Sequence, residues 1–145
     1  MYKKIFVLSI LAIVMIGCAY AADSTDSLNN NTVTISGINF TIPEGFTEDV
    51  DGAIVNESES YEGYNYVTNG KSFENENHFL LMSVSEYEQN ITEDILEDVG
   101  DETTINNVTG RFDDMGFLAL FSYIQDDKVV VITADDRSII EEVLS

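Results

Sequence analysis

Residues 117–134 read FLALFSYIQDDKVVVITA, and the fold follows from how this stretch is covered. In its first half both alternating sets are apolar. Phe117, Ala119, Phe121 and Tyr123 fall on one side, Leu118, Leu120 and Ile124 on the other, and Ser122 is the one break. A strand that is apolar on both sides is buried on both faces. After the polar break Gln125-Asp126-Asp127-Lys128 comes Val129-Val130-Val131-Ile132-Thr133-Ala134, β-branched almost throughout. That composition predicts a second strand returning antiparallel to the first, with the pair at the centre of a sheet.

Outward from this pair, residues 103–112 have strand character around Asn106-Asn107, and Asp114-Met115-Gly116 turns the chain into residue 117. On the C-terminal side Asp135 or Asp136 caps a helix whose apolar stripe is Ile139, Ile140, Val143 and Leu144. Further upstream, Asn90 with Glu93 three residues on is a capping pattern. Ile91, Ile95, Leu96 and Val99 then share one helical face and Gly100 stops it, so a short amphipathic helix is expected over 92–99. Residues 78–85 read as a strand apolar enough to lie inside the sheet, and 61–68 as a tyrosine-rich one. Asn69-Gly70 between them is the strongest hairpin signal in the chain, with residues 71–73 as the return strand. Residues 46–59 are acidic and lack periodicity, which predicts a surface loop with a brief strand at 53–55. Residues 33–42 alternate around Ser36-Gly37 as a tight hairpin that Pro43 ends. The expected fold is α+β: an antiparallel sheet of six to eight strands with two short helices packed on it.

The first 22 residues stand apart. Lys3 and Lys4 precede an apolar run over 5–16 broken only by Ser9, the layout of a secretory signal or membrane anchor. Three outcomes are open at its end. Met15-Ile16-Gly17-Cys18 has the form of a lipobox, which makes Cys18 a lipidation candidate; Ala19-Tyr20-Ala21 offers a small-x-small cleavage site; and the uncut stretch 5–22 is barely long enough to span a bilayer. Residues 23–32 are Asp, Ser, Thr and Asn around Leu28, a polar tether that suits an attached product as a spacer. The remainder, 33–145, has the size of a single domain. The protein is therefore expected outside the cytoplasm, anchored to the outer face of the cell membrane or secreted, with membrane contact only through its N-terminal segment.

Composition narrows what such a domain does. All 27 acidic residues lie from Asp23 onward, while two of the six basic ones are Lys3 and Lys4, so four basic against 27 acidic residues leave a net charge of −23 beyond the signal. A surface of that sign repels phosphate backbones and anionic headgroups, which argues against nucleic acid and against charge-driven membrane binding. Cys18 is the only cysteine, so the chain has no intrachain disulfide and no thiolate metal cluster. The acidic pairs Asp113-Asp114, Asp126-Asp127 and Asp135-Asp136 lack the spacing of a calcium loop, and Asp49-Val50-Asp51-Gly52 reads as a turn.

One motif carries a resemblance. Phe40-Thr41-Ile42-Pro43-Glu44-Gly45-Phe46 resembles the F-x-I-P-x-G-[WF] opening of the superfamily that contains the PsbP oxygen-evolving accessory proteins, a Ran-binding nuclear import factor and several bacterial lipoproteins. Phe46 stands where Trp is more usual. The resemblance extends over 33–145 in the order of elements and implies an α/β/α sandwich. The general style is also similar to small exported proteins of methanogenic archaea with no assigned function. That superfamily has no common activity, so what the resemblance implies is an accessory or binding role rather than catalysis.

The residues agree with that class. His78 is the single histidine; it opens a predicted strand beside Glu76 and has no nucleophile motif around it, so it reads as a strand-end residue. No residues are assigned to catalysis, a cofactor or a metal. Tyr61, Tyr64, Tyr66 and Tyr87, with Phe73 and Phe79, suggest an aromatic platform for an envelope protein or glycan, and ordinary sheet packing accounts for them equally well; Tyr64 and Tyr66 share one strand face and are the preferred contacts if they point outward. Five sites match Asn-x-Ser/Thr, at Asn30, Asn39, Asn56, Asn90 and Asn107. Asn56 and Asn107 are the glycosylation candidates, because Asn39 falls inside a strand and Asn90 serves as a cap. The function expected is a non-catalytic cell-envelope accessory or binding module of unknown partner. The alternatives are an acidic cation-buffering or structural envelope protein and, as the least favoured, a hydrolase.

Overall fold

The computed structural model describes residues 31–145. The readings that concern residues 1–30, including the signal, Cys18, Asn30 and most of the tether, lie outside the described residues. Strands β1 (Thr32–Ile35) and β2 (Ile38–Thr41) form a two-stranded sheet. The main sheet contains β3 (Thr47–Tyr61), β4 (Tyr64–Glu74), β5 (Phe79–Tyr87), β6 (Asp101–Ile105), β7 (Val108–Asp114), β8 (Ala119–Gln125) and β9 (Lys128–Ala134), in the order β3-β4-β5-β9-β8-β7-β6. Every neighbouring pair is antiparallel. Among the described residues one α-helix, α1 (Arg137–Val143), and one 3-10 turn (Glu93–Leu96) complete the α+β fold.

Four strand pairs are joined by two-residue turns whose residues both have positive φ: Ser36-Gly37, Glu62-Gly63, Asn106-Asn107 and Asp126-Asp127. This geometry matches the right-handed twist of the flanking strands and suits Gly, Asn and Asp. It makes the element order almost a pure meander. The one departure places β9 between β8 and β5, so the predicted pair β8–β9 does occupy the middle of the sheet.

The sheet is covered on both faces, and its two faces are chemically different. Phe73, Met82, Phe121 and Ile132 point to one side, where the β1–β2 hairpin and α1 pack on them through Ile35, Ile38, Phe40, Ile139, Ile140 and Val143. The next residues along the same strands, Ser72, Ser83, Ser122 and Thr133, are buried on the other side. There the apolar cover is thinner: Leu96 and Val99 from the segment around the 3-10 turn, and Ile54 from β3, meet Leu81, Leu120, Val129 and Val131. Each fully buried large side chain contributes roughly 1.5–3 kcal/mol, so the helix-covered face is the main source of stability.

Three expectations are corrected. The helix over 92–99 is only the 3-10 turn Glu93–Leu96, so among the described residues one helix rather than two packs on the sheet. Its N-cap is Thr92, which makes no side-chain capping bond, and Asn90 does not cap it. An eight-residue segment with two buried apolar anchors, Leu96 and Val99, gains too little to offset helix nucleation. The acidic loop expected over 46–59 is the 15-residue edge strand β3. Finally, Asn69-Gly70 is not a turn but the middle of β4, and the hairpin closes at Glu62-Gly63 instead. The reason lies across the ladder. Pairing of β3 with β4 shifts register on either side of Ile54, which lies opposite Gly70. A Cβ on Gly70 would stand 3.2 Å from Ile54 Cδ1 and 3.0 Å from the Met82 carbonyl oxygen, so this glycine marks a close approach.

Candidate functional site

The β3–β4 hairpin tip carries the aromatic residues. Tyr61 ends β3 and faces Tyr64 at the start of β4, while Tyr66 pairs with Tyr87, the last residue of β5. Because side chains alternate along a strand, these four tyrosines project from the same face, the thinly covered one. Tyr66 stacks on Tyr87 with ring centres 4.8 Å apart and planes at 27°; Tyr64 meets Tyr87 edge-on at 6.0 Å and 79°. Both geometries are favoured by the ring quadrupole.

The chain after β5 closes the other side. Asp94 and Ile95 from the 3-10 turn, with Asp98 and Val99 just after it, stand across from the tyrosines, and Glu62 comes from the hairpin turn. Together they enclose a cavity of about 210 Å³ open to solvent. Its lining is four phenol rings, two aliphatic side chains and three carboxylates, with no cationic group. At the base, the Tyr66 hydroxyl donates to Glu59 Oε2 at 2.6 Å. Burial first, then that bond, raises the Tyr66 hydroxyl pKa well above its ordinary range. The Tyr87 hydroxyl is raised as well, by burial and the nearby Glu59 charge, and it is buried without a hydrogen-bond partner among the described residues.

The expected contacts Tyr64 and Tyr66 are thus brought together, with different exposure. Tyr64 is half-buried and forms a wall; Tyr66 is only 5% exposed and lies beneath. Phe73 leaves the aromatic group altogether, since it sits in the core on the opposite face. The rings form a cup rather than a flat platform, because Tyr66 and Tyr87 turn their faces to each other. Sequence reasoning missed the carboxylates Glu62, Asp94 and Asp98. The available signal was Glu62-Gly63 between two tyrosines, which is itself a hairpin pattern.

The remaining candidates have local roles. His78 is exposed just before β5, its Nδ1 3.2 Å from Asp135 Oδ2, and Asp135 also accepts from the Phe79 backbone N–H at 3.1 Å. Asp136 caps α1, accepting from the Ser138 N–H at 2.8 Å and the Ser138 hydroxyl at 2.6 Å. Residues 49–52, expected as a turn, lie inside strand β3, where Asp49 accepts from the Asp51 N–H, and Asp114 accepts from the Gly116 N–H. Among the described residues no group of three or more His, Cys, Asp or Glu is arranged to hold a metal ion. Asn56 and Asn107 are exposed at positive-φ positions, Asn56 at the β3 irregularity and Asn107 in the β6–β7 turn. Asn39 is exposed on β2, its Oδ1 accepting from the Thr34 hydroxyl at 2.6 Å. Comparison with protein-family models, with curated proteins and with solved structures found no match to this chain.

Proposed function

We propose that the protein is an exported, non-catalytic accessory or binding module of the cell envelope that meets its partner, an envelope protein or glycan, through the tyrosine cup. The observation that carries this reading is the cup: four tyrosines, three from the β3–β4 hairpin and Tyr87 from the end of β5, gathered around an open cavity of about 210 Å³. Aromatic side chains left partly exposed in a concave site are more informative than exposed apolar residues scattered singly. The PsbP-like relationship belongs to the same proposal. It is supported by residues 40–46, in which Phe40 and Ile42 are buried and Phe46 packs on the same core.

The test is capture from envelope extract by the immobilised protein, run in parallel with Tyr64→Ala. A partner retained by the wild type and lost by the variant supports the module; equal capture by both, or none, overturns it. Where the protein works is tested separately. Cys18→Ser should move it from the membrane pellet to the medium, and mass spectrometry of the native product reports cleavage site, lipid and glycans together. The net charge of −23 beyond the signal favours cation buffering as a second reading. Calorimetric titration with calcium decides it, since saturable binding tighter than millimolar supports a specific cation site.

A further inference from the structure

We infer that the tyrosine cup takes an alkylammonium group, held against the phenol rings with Glu62, Asp94 and Asp98 as counter-charges. The inference rests on the cup being the binding site. Tyr64 and Tyr87, nearly perpendicular at 79°, present two aromatic walls at a corner. A cation set in such a corner is attracted by more than one ring, and the attraction grows as water is excluded. The three lining carboxylates make the corner strongly unfavourable for an anion and favourable for a cation.

No cationic side chain among the described residues fills the cup. Each of the four cationic side chains among the described residues already pairs elsewhere: Lys71 with Glu48, Arg111 with Glu102, Lys128 with Glu86, and Arg137 with Glu141. None of them lines the cup. Size and lining chemistry select among cations. A volume of about 210 Å³ lies below the roughly 300–1,000 Å³ of sites for drug-sized ligands. It suits a substituted ammonium head. Ile95 and Val99 in the wall suit its methyl or methylene groups, whereas a small inorganic cation prefers six or more oxygen ligands. The Tyr87 hydroxyl, buried and without a partner among the described residues, adds a polar atom beside the site.

An alkylammonium head is carried by free solutes and by lysine side chains, and the test separates the two. The purified protein is titrated with choline, with Nα-acetyl-lysine amide, and with 3,3-dimethylbutan-1-ol, the uncharged isostere of choline. Potassium chloride serves as the ionic-strength control, and tyrosine ring proton and N-methyl shifts are followed by NMR. The expected result is saturable millimolar binding of a charged probe, with upfield N-methyl shifts for choline and at least roughly tenfold weaker binding of the isostere. The better charged probe identifies the source. Glu62→Gln combined with Asp94→Asn, which conserves shape, should weaken it by roughly fivefold or more with the thermal midpoint retained. No binding of either charged probe, binding of the isostere as strong as choline, or indifference to the carboxylate variant overturns the inference. If capture in the envelope extract nonetheless depends on Tyr64, the binding module stands and only its ligand class is wrong.

Discussion

Asn69 Oδ1 accepts a hydrogen bond from the backbone N–H of Asn56 at 2.9 Å across the β3–β4 ladder. Asn56 sits at φ 49°, within the irregular stretch that lets Ile54 fold over Gly70. The Asn-Gly pair therefore serves the irregularity: one residue satisfies a displaced amide and the next makes room for a buried side chain. Asn69→Ala should cost about 0.5–1.5 kcal/mol, since the amide it leaves is near solvent. Gly70→Ala should cost more, about 1–3 kcal/mol. Its Cβ would meet the Met82 carbonyl oxygen, fixed in the β5 ladder, and this outweighs the entropic gain of replacing glycine in a strand. Urea unfolding of both variants checks the order, and a stabilised Gly70→Ala would contradict it.

Tyr66 and Tyr87 stack, yet their hydroxyls differ in one respect that mutation can read. Tyr66→Phe removes the donor to Glu59, and the loss of this charge-assisted bond should cost about 1–2 kcal/mol. Tyr87→Phe removes a buried hydroxyl that has no partner among the described residues, so stability should be unchanged or higher by up to about 1 kcal/mol. Both substitutions keep the ring. A Tyr87→Phe variant clearly less stable than Tyr66→Phe would mean that the two hydroxyls have exchanged roles in solution.

Asp136 makes the acid limb of stability predictable in sign. The Ser138 hydroxyl and then the Ser138 N–H donate to its carboxylate and hold its pKa below the usual range. A carboxylate depressed in the folded state stabilises above its unfolded pKa and loses that contribution as pH falls through the folded value. The wild type should therefore lose melting temperature on acidification more steeply than Asp136→Ala, which lacks the cap at every pH. Thermal melts between neutrality and about pH 3 test this, and parallel curves for the two proteins would refute the cap's contribution.

How much of this was legible in the chain depended on how many neighbours each segment has. β8 and β9 each have a strand on either side and cover on both faces, so nearly every position is apolar and the reading holds from Ala119 onward; Phe117, expected in the buried strand, precedes β8 and is exposed. β3 has a neighbour on one edge only, and Asp49, Asp51, Glu57 and Glu59 with Gly52 give it the composition of a loop. Such residues and irregularities keep an edge strand from pairing with other chains. Asn69-Gly70 misled for a related reason, since a signal for positive φ and a signal for close approach use the same residues. The tyrosines of the cup were visible as a cluster because β-strands favour them. The carboxylate side was not, because Asp94 and Asp98 come opposite Glu62 only once the segment after β5 folds back over the sheet.

The alkaline limb is set by buried phenols. Burial pushes the Tyr123 hydroxyl up to about 12, and Tyr66 and Tyr87 are raised in the same direction. Unfolded tyrosine ionises near pH 10, so above that pH the unfolded chain releases protons that the folded protein still holds. Stability is then fully present below about pH 10 and falls as pH rises toward the folded values. For Tyr123 alone the span from about 10 to about 12 sets an upper bound of roughly 2–3 kcal/mol. Tyr123 lies beside Phe121, ring centres 5.7 Å apart, so Tyr123→Phe keeps the aromatic contact and removes only the ionisation. Urea midpoints measured across the alkaline range should fall more gently for Tyr123→Phe than for the wild type. Identical slopes would show that this hydroxyl ionises as freely in the folded protein as in the unfolded chain.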